Sequence, residues 1–301
     1  MKAIVVHEYG GPELLKWEEY PDPVPGPGEV LVRVAAASVN PIDDKRRAGL
    51  TKDYYPIEFP GLIGVDMSGT VAKVGPGVVT FTEGNRVFAM ADNTYAQLCV
   101  VKADVLADVP EGLDLLQAAA LPLVTTTGNQ LMSATGVTAG QTALVIGAAG
   151  NDGRSAVFTA KSRGATVIAG VLKRQIEDAK TVGADQYVAT DDDAAIANLP
   201  LLDAVADTVG GRTAEKLVAK VKPGGVFASV VGKPQNAADH PSVKAVFVFS
   251  KFDRETLEFM AEAVRDGKLV IPISLKLPLS KAATAQATVE KGGVGKVLLV
   301  A

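Results

Sequence analysis

Ala143-Leu144-Val145-Ile146-Gly147-Ala148-Ala149-Gly150-Asn151-Asp152-Gly153 reads as a short apolar strand that runs into a glycine-rich turn, and the residues after it suit a helix. That order aims backbone N–H groups and the positive end of a helix dipole at one point, the arrangement that holds a pyrophosphate. Set against G-x-G-x-x-G, the first glycine position is Ala148 and the others are Gly150 and Gly153, so the fingerprint is degenerate by one methyl. A tight strand-to-helix turn with no ligand is the alternative. The strand before and the helix after favour a dinucleotide site whose contacts include Ala148, Gly150, Asn151, Asp152 and Gly153.

Working outward, apolar stretches at 165–169, 204–206 and 226–231 alternate with helical stretches that end near 163 and 182 and span 214–220. Buried strands with helical crossovers imply a doubly wound parallel sheet of the Rossmann kind. Further on come a strand at 245–249, a helix at 254–265, a strand at 269–273, a helix from 280 stopped by Gly292 and Gly293, and a strand at 296–300. The first hundred residues differ. Short β segments at 3–6, 30–37, 69–74, 86–90 and 95–101 are separated by Pro and Gly clusters, so this part is a mainly β module. Residues 21–28, with four prolines and two glycines, form a loop.

The chain of 301 residues is long enough for about two domains. Hydrophobic residues at 48% against 21% charged exclude a disordered polyelectrolyte, and a net charge of -4 makes nucleic acid and anionic membrane poor partners. One cysteine, Cys99, cannot form an intrachain disulfide, and with only His7 and His240 it cannot furnish a Cys/His zinc cluster. Glu8 interrupts the opening MKAIVVHEYG where a signal peptide needs an apolar core, and no run reaches the ~18 residues of a membrane span, so the expected compartment is the cytoplasm.

Cofactor choice turns on the residues after the second strand. An NAD site places a carboxylate there for the ribose 2′-hydroxyl, but no acid occurs between Asp152 and Glu177, and the strand runs out into Lys173-Arg174. Two cations there suit a 2′-phosphate and favour NADPH over NADH; a solvated helix start is the alternative.

Several motifs extend the reading over almost the whole chain: Pro25-Gly26-Pro27-Gly28-Glu29-Val30, Ser38-Val39-Asn40-Pro41-Ile42-Asp43, Gly64-Val65-Asp66-Met67-Ser68-Gly69, Gly84-Asn85-Arg86-Val87, Ala119-Ala120-Leu121-Pro122, Pro223-Gly224-Gly225 and Gly295-Lys296-Val297. In this order and spacing the chain resembles the zinc-independent, quinone oxidoreductase (zeta-crystallin-like) branch of the medium-chain dehydrogenases/reductases. The resemblance implies an α/β fold in which a Rossmann domain, residues 114–253, is inserted into a mainly β GroES-like catalytic domain, residues 1–113 plus 254–301, with the active site between them. It places Asn40 at the nicotinamide ribose and substrate, Thr127 at the carboxamide, and Val231, Gly232 and Phe247 along the nicotinamide. It makes Tyr54 or Tyr55 a donor to a developing oxyanion. For each there is a plainer reading: a self-bonded loop residue for Asn40, a helix cap for Thr127, rim aromatics for the tyrosines. A homodimer through the apolar edge at 243–249 is also implied.

The positions that hold catalytic zinc in zinc-dependent relatives match Asn40, Val65 and Leu123, which leaves no metal set. Hydride addition to a conjugated acceptor spreads negative charge over an enolate or hydroquinone anion, which hydrogen bonds can manage without a Lewis acid. The expected activity is therefore NADPH-dependent reduction of a quinone or α,β-unsaturated carbonyl. The rivals are an NADPH-binding sensor or structural protein with little turnover, which the unusual Asn151-Asp152 pair keeps open, and zinc-dependent alcohol oxidation. Cys99 reads as core, the two histidines as structural or surface residues, and Asp191-Asp192-Asp193 as a solvated loop.

Overall fold

The computed structural model describes residues 1–293 and 295–301. In chain order the strands are β1 (Lys2–Val6), β2 (Lys16–Glu19), β3 (Glu29–Val39), β4 (Gly61–Leu62), β5 (Asp66–Val74), β6 (Arg86–Met90), β7 (Leu98–Lys102), β8 (Ala107–Asp108), β9 (Thr142–Ile146), β10 (Thr166–Val171), β11 (Gln186–Ala189), β12 (Leu202–Asp207), β13 (Val221–Ser229), β14 (Lys244–Phe247), β15 (Ile273–Pro278) and β16 (Lys296–Val300). The helices are α1 (Pro41–Arg47), α2 (Leu115–Ala119), α3 (Pro122–Thr135), α4 (Asn151–Ser162), α5 (Ile176–Ala179), α6 (Asp193–Ala197), α7 (Gly211–Val218), α8 (Arg254–Arg265) and α9 (Ala282–Glu290).

Two units result, Met1–Leu123 with Phe252–Ala301, and Val124–Lys251. In the second, six strands run in the order β11-β10-β9-β12-β13-β14, every neighbouring pair parallel. This is the doubly wound order, with β9 inside. Its side chains alternate between two cores: Ala143 and Val145 pack with Leu131 of α3 and Ala156, Val157 and Ala160 of α4, while Leu144 and Ile146 pack with Ala214, Leu217 and Val218 of α7. Both faces are covered, which is why β9 is apolar throughout. Each such Leu, Ile or Val contributes about 1.5–3 kcal/mol by leaving water.

In the first unit a sheet runs β15-β16-β3-β5-β6-β8, with β7 also paired to β3, beside a smaller sheet β2-β1-β4. The C-terminal strand β16 lies antiparallel to β3, pairing Val297 with Val39 and Leu298 with Ser38, so both ends of the chain build one module. β3 stops where Pro41, with no N–H for a ladder, starts α1, and the Asn40 N–H is taken by the Asp43 carboxylate at 2.9 Å. The buried Arg47 ties α1 to α9 and the N-terminal loop through Gln286, Glu290 and the Gly10 carbonyl.

Three expectations shift. The first unit runs to 123, not 113, because α2 belongs to the β module: Ser68 Oγ donates to the Leu115 carbonyl at 2.5 Å, and Arg86 to that of Leu113 at 2.6 Å. The strand expected at 269–273 is instead β15, since Pro272 has no N–H to pair and the ladder with β16 begins at Ile273. The helix expected up to 182 is a single turn, α5, between 3-10 turns, ended by Gly183 at φ +80°. Among the described residues no helix is long and apolar enough to cross a membrane.

Candidate functional site

The turn after β9 is built by glycines that leave no space for side chains. Gly147 has φ +78°, and a Cβ there would lie 2.3 Å from Thr208 Oγ1; at Gly153 it would lie 2.2 Å from the Gly147 carbonyl oxygen. The residue that makes the tight turn is therefore Gly147, one before the position aligned with the first glycine of the fingerprint. Ala148 is buried and gives its N–H to the Gly170 carbonyl at 3.2 Å, and Gly150 gives its own to Gly147 at 2.9 Å. The first-turn amides of Asn151 and Gly153 have no acceptor within α4 and lie at its positive end, fit to meet an anion. Asp152 stands in the same turn. Arg154 crosses back over it, Nε donating to the Ala149 carbonyl at 3.1 Å, and its burial moves the guanidinium below its ordinary range.

Gly128 lets α3 approach this turn: a Cβ there would lie 2.5 Å from the Asp152 carbonyl oxygen and from Ser155 Cβ. Thr127 is no helix cap; its hydroxyl pairs with Ser250 Oγ at 2.6 Å, and Gln130 both donates to the Lys251 carbonyl and accepts its N–H, at 2.6 and 2.9 Å. These bonds hold the segment that leaves β14, at whose end Phe247 is half exposed, as is Val231 beyond β13. Gly232 beside it has φ +132°. Asp207, which sequence reasoning missed, organises this end of the sheet: one carboxylate oxygen accepts the Val209 and Gly210 N–H groups, each at 2.9 Å, and the other accepts Ser229 Oγ at 2.8 Å. All of this lies beyond the carboxyl ends of parallel strands, where open α/β sheets bind ligands.

At the end of β10, Lys173 and Arg174 are exposed, and neither side chain forms an ion pair among the described residues. The acid that the sequence lacks there is supplied by tertiary structure: Asp191, following β11, accepts the Lys173 N–H at 2.8 Å. Nor is the aspartate run a plain solvated loop. Asp192 caps α6 through the Ala194 and Ala195 amides, and Asp193 pairs with Lys216.

In the first unit Asn40, expected at the reacting centre, lies in a buried polar cluster with Ser38, Asp66 and Lys296, none more than 2% exposed. Asn40 Nδ2 donates to Asp66 Oδ2 at 3.0 Å and Ser38 Oγ donates to the same oxygen at 2.7 Å. Lys296 Nζ donates to Asn40 Oδ1, to Ser38 Oγ at 2.9 Å and towards Asp66 Oδ2 at 3.4 Å. Asp66 Oδ1 accepts the Leu123 N–H at 2.9 Å. Asp66 thus joins Asn40 and Leu123 and follows Val65, gathering the three positions matched to metal ligands. Valine and leucine offer no donor side chain, and the amide of Asn40 is engaged, so these residues do not fit zinc. Among the described residues no group of three His, Cys, Asp or Glu is placed to hold a metal.

Below the cluster, Asp43 accepts the Asn40 N–H and the Tyr95 hydroxyl, the latter at 3.0 Å. Burial raises its carboxyl to about 7, and burial with Asp43 as neighbour raises that of Asp44 to about 8. The two candidate tyrosines differ. Tyr55 gives its hydroxyl to Asp92 beneath the Arg46 guanidinium, 3.9 Å from the ring centre, and burial pushes its pKa upward. Tyr54 is 64% exposed. Cys99 is core, its thiol raised to about 12 by burial.

Residues 26–111 match the alcohol dehydrogenase GroES-like domain and residues 182–299 the zinc-binding dehydrogenase family. The chain is 30% identical to a chloroplast envelope quinone oxidoreductase homolog of Arabidopsis thaliana, over 99% of this chain and 98% of the relative. The chain belongs to the quinone oxidoreductase family of medium-chain dehydrogenases/reductases. It is also 31% identical to an NADPH-dependent alkenal/one oxidoreductase of the same plant, covering 99% of this chain and 79% of that one. The structure of the quinone oxidoreductase from Coxiella burnetii superposes with a TM-score of 0.89 at 32% identity, covering 100% of this chain and 99% of that one. In this quinone oxidoreductase family member, the GroES-like module is the unit that contains Asn40, and the Rossmann-like sheet is the unit that contains the glycine turn.

Proposed function

We propose that the protein reduces a quinone or an α,β-unsaturated carbonyl with NADPH and without zinc. The observation that carries the reading is the glycine turn, a backbone cradle that Gly147 and Gly153 keep free of side chains at the head of α4. When bound, NADPH supplies the hydride, from C4 of its nicotinamide.

The chain's own residues divide the remaining work. The Asn151 and Gly153 amides hold the pyrophosphate, and Arg154 offsets the like charge of Asp152 beside it. Lys173 and Arg174 take the 2′-phosphate. Thr127 and Ser250, bonded to each other, set the segment that lines the nicotinamide with Val231, Gly232 and Phe247. The exposed Tyr54 hydroxyl donates to the oxyanion that develops on the acceptor, whereas Tyr55 is already committed to Asp92 and shapes the loop. A pair of chains associates through the free edge of β14.

The test is loss of NADPH absorbance, with NADH in parallel, against a 1,4-quinone, a linear enal and a cyclic enone. Turnover with NADPH on any of the three is expected. NADPH binding without oxidation of any would instead favour a binding protein with little turnover, and stoichiometric zinc in the active purified protein would overturn the metal-free reading.

A further inference from the structure

A lysine ammonium only donates hydrogen bonds, and a carboxylate only accepts them. Lys296 and Asp66 therefore dictate which way round the Asn40 amide lies: its oxygen faces Nζ, and its nitrogen faces Asp66 Oδ2 at 3.0 Å, with a second contact to Ser38 Oγ at 3.3 Å. The nitrogen also lies 3.4 Å from the Ser38 carbonyl oxygen, so both N–H bonds of the amide are taken up by Asp66 and Ser38. The backbone of Asn40 is equally committed, its N–H to the Asp43 carboxylate and its carbonyl to the Asp43 N–H, each at 2.9 Å. One hydrogen-bonding valence of the side chain is left, the second lone pair on Oδ1. A residue in this state can accept from a hydroxyl. It cannot donate to an oxyanion.

Lys296 comes from β16 and Asn40 follows β3, so the orientation depends on pairing between the two ends of the chain. A buried ion pair adds little net stability over apolar residues of the same shape, so stability alone does not account for the arrangement. We propose that Lys296 is a positioning residue which fixes Asn40 as an acceptor, so that Asn40 meets a hydroxyl of the nicotinamide ribose and takes no part in stabilising charge on the reduced acceptor. This rests on the reading of the protein as a nicotinamide-dependent reductase.

Lys296→Met alone leaves Asp66 buried without its counter-charge and is expected to fold poorly. The decisive variant is Asp66→Asn with Lys296→Met, which removes both charges and with them the donor that orients the amide. With thermal unfolding and circular dichroism confirming the fold, KM for NADPH and Kd by NADPH fluorescence are expected to rise about tenfold, while kcat at saturating NADPH and KM for the quinone or enone stay within about threefold. Lys296→Arg alone, which keeps a cation opposite Asp66, is expected to hold NADPH affinity closer to wild type than the uncharged pair does. NADPH affinity equal to wild type in the folded Asp66→Asn, Lys296→Met variant would overturn the proposal and make Lys296 a counter-ion only. A fall in kcat with KM for NADPH unchanged would also overturn it, by placing Asn40 in the chemical step. Failure of the wild-type protein to bind either NADPH or NADH would sink the underlying reading as well, and the same titration separates that result from the other two.

Discussion

Gly153 and Gly150 stand three residues apart in one turn, yet substitution tests different things at each. A Cβ at Gly153 would press on the backbone of Gly147 and Ala148, at 2.2 and 2.7 Å, whereas at Gly150 its only near contact is the Gly147 oxygen at 3.2 Å. Gly153→Ala is expected to cost about 1–3 kcal/mol of stability, read from the urea midpoint. Gly150→Ala should leave the midpoint nearly unchanged and weaken NADPH binding instead, because the second glycine of such a turn is the one the pyrophosphate approaches. Equal loss of stability in both would contradict the geometry. At the other end of the cofactor site, Asp191 sets a carboxylate on the Lys173 amide, among the cations proposed for the 2′-phosphate. Asp191→Asn removes that like charge and is expected to raise the preference for NADPH over NADH by roughly threefold, an effect that shrinks in high salt. An unchanged ratio of kcat/KM would place the 2′-phosphate elsewhere.

At the scale of the element, α1 carries two buried acids in succession, and the signs of their shifts fix a pH response. The carboxyls of Asp43 and Asp44 are raised from an ordinary 3.8 to about 7 and about 8, by burial first in both cases. The folded state keeps protons that the unfolded chain has released, so the contribution of each is complete below its unfolded pKa and is lost as pH rises through the folded one. Stability should therefore decline from about pH 5 to about pH 8. Asp43→Asn keeps an oxygen that accepts the Asn40 N–H and the Tyr95 hydroxyl, and removes the titration. Urea midpoints measured over that range should fall less steeply in the variant; an identical slope would show that Asp43 is already ionised in the folded protein at the lower pH. None of this was visible in the motif Asn40-Pro41-Ile42-Asp43. Sequence spacing marks the proline and the turn, but burial of the acids is imposed by α9 and Tyr95, far away in the chain.

At the scale of the whole molecule, β14 pairs with β13 on one side and is the last strand of its sheet. An apolar edge of this kind is a template for a second copy, and Phe247 and Phe249 stand exposed at its end. The protein is expected to run as a dimer in size exclusion with light scattering. Ala245→Pro, which removes an N–H facing away from β13, should convert it to a monomer whose circular dichroism is unchanged. A dimer that survives this change associates through another surface.

The doubly wound sheet, the glycine turn and the mainly β module were legible in the sequence because each rests on local order: continuous apolar runs where both faces are buried, glycine where φ is positive, proline where a ladder stops. Lys173 and Arg174 were legible for the same reason, as neighbours at a strand end. What the candidate sites do with these residues was decided only in three dimensions. Lys296 meets Asn40 because β16 returns to lie beside β3, and Asp191 meets Lys173 because β11 lies beside β10. The tight turn falls to Gly147 in place of Ala148 because Thr208 packs against it. Periodicity and turn chemistry act over a few residues and can be read along the chain, but a hydrogen bond or a charge acts through space, and its partner is set by which strands pair.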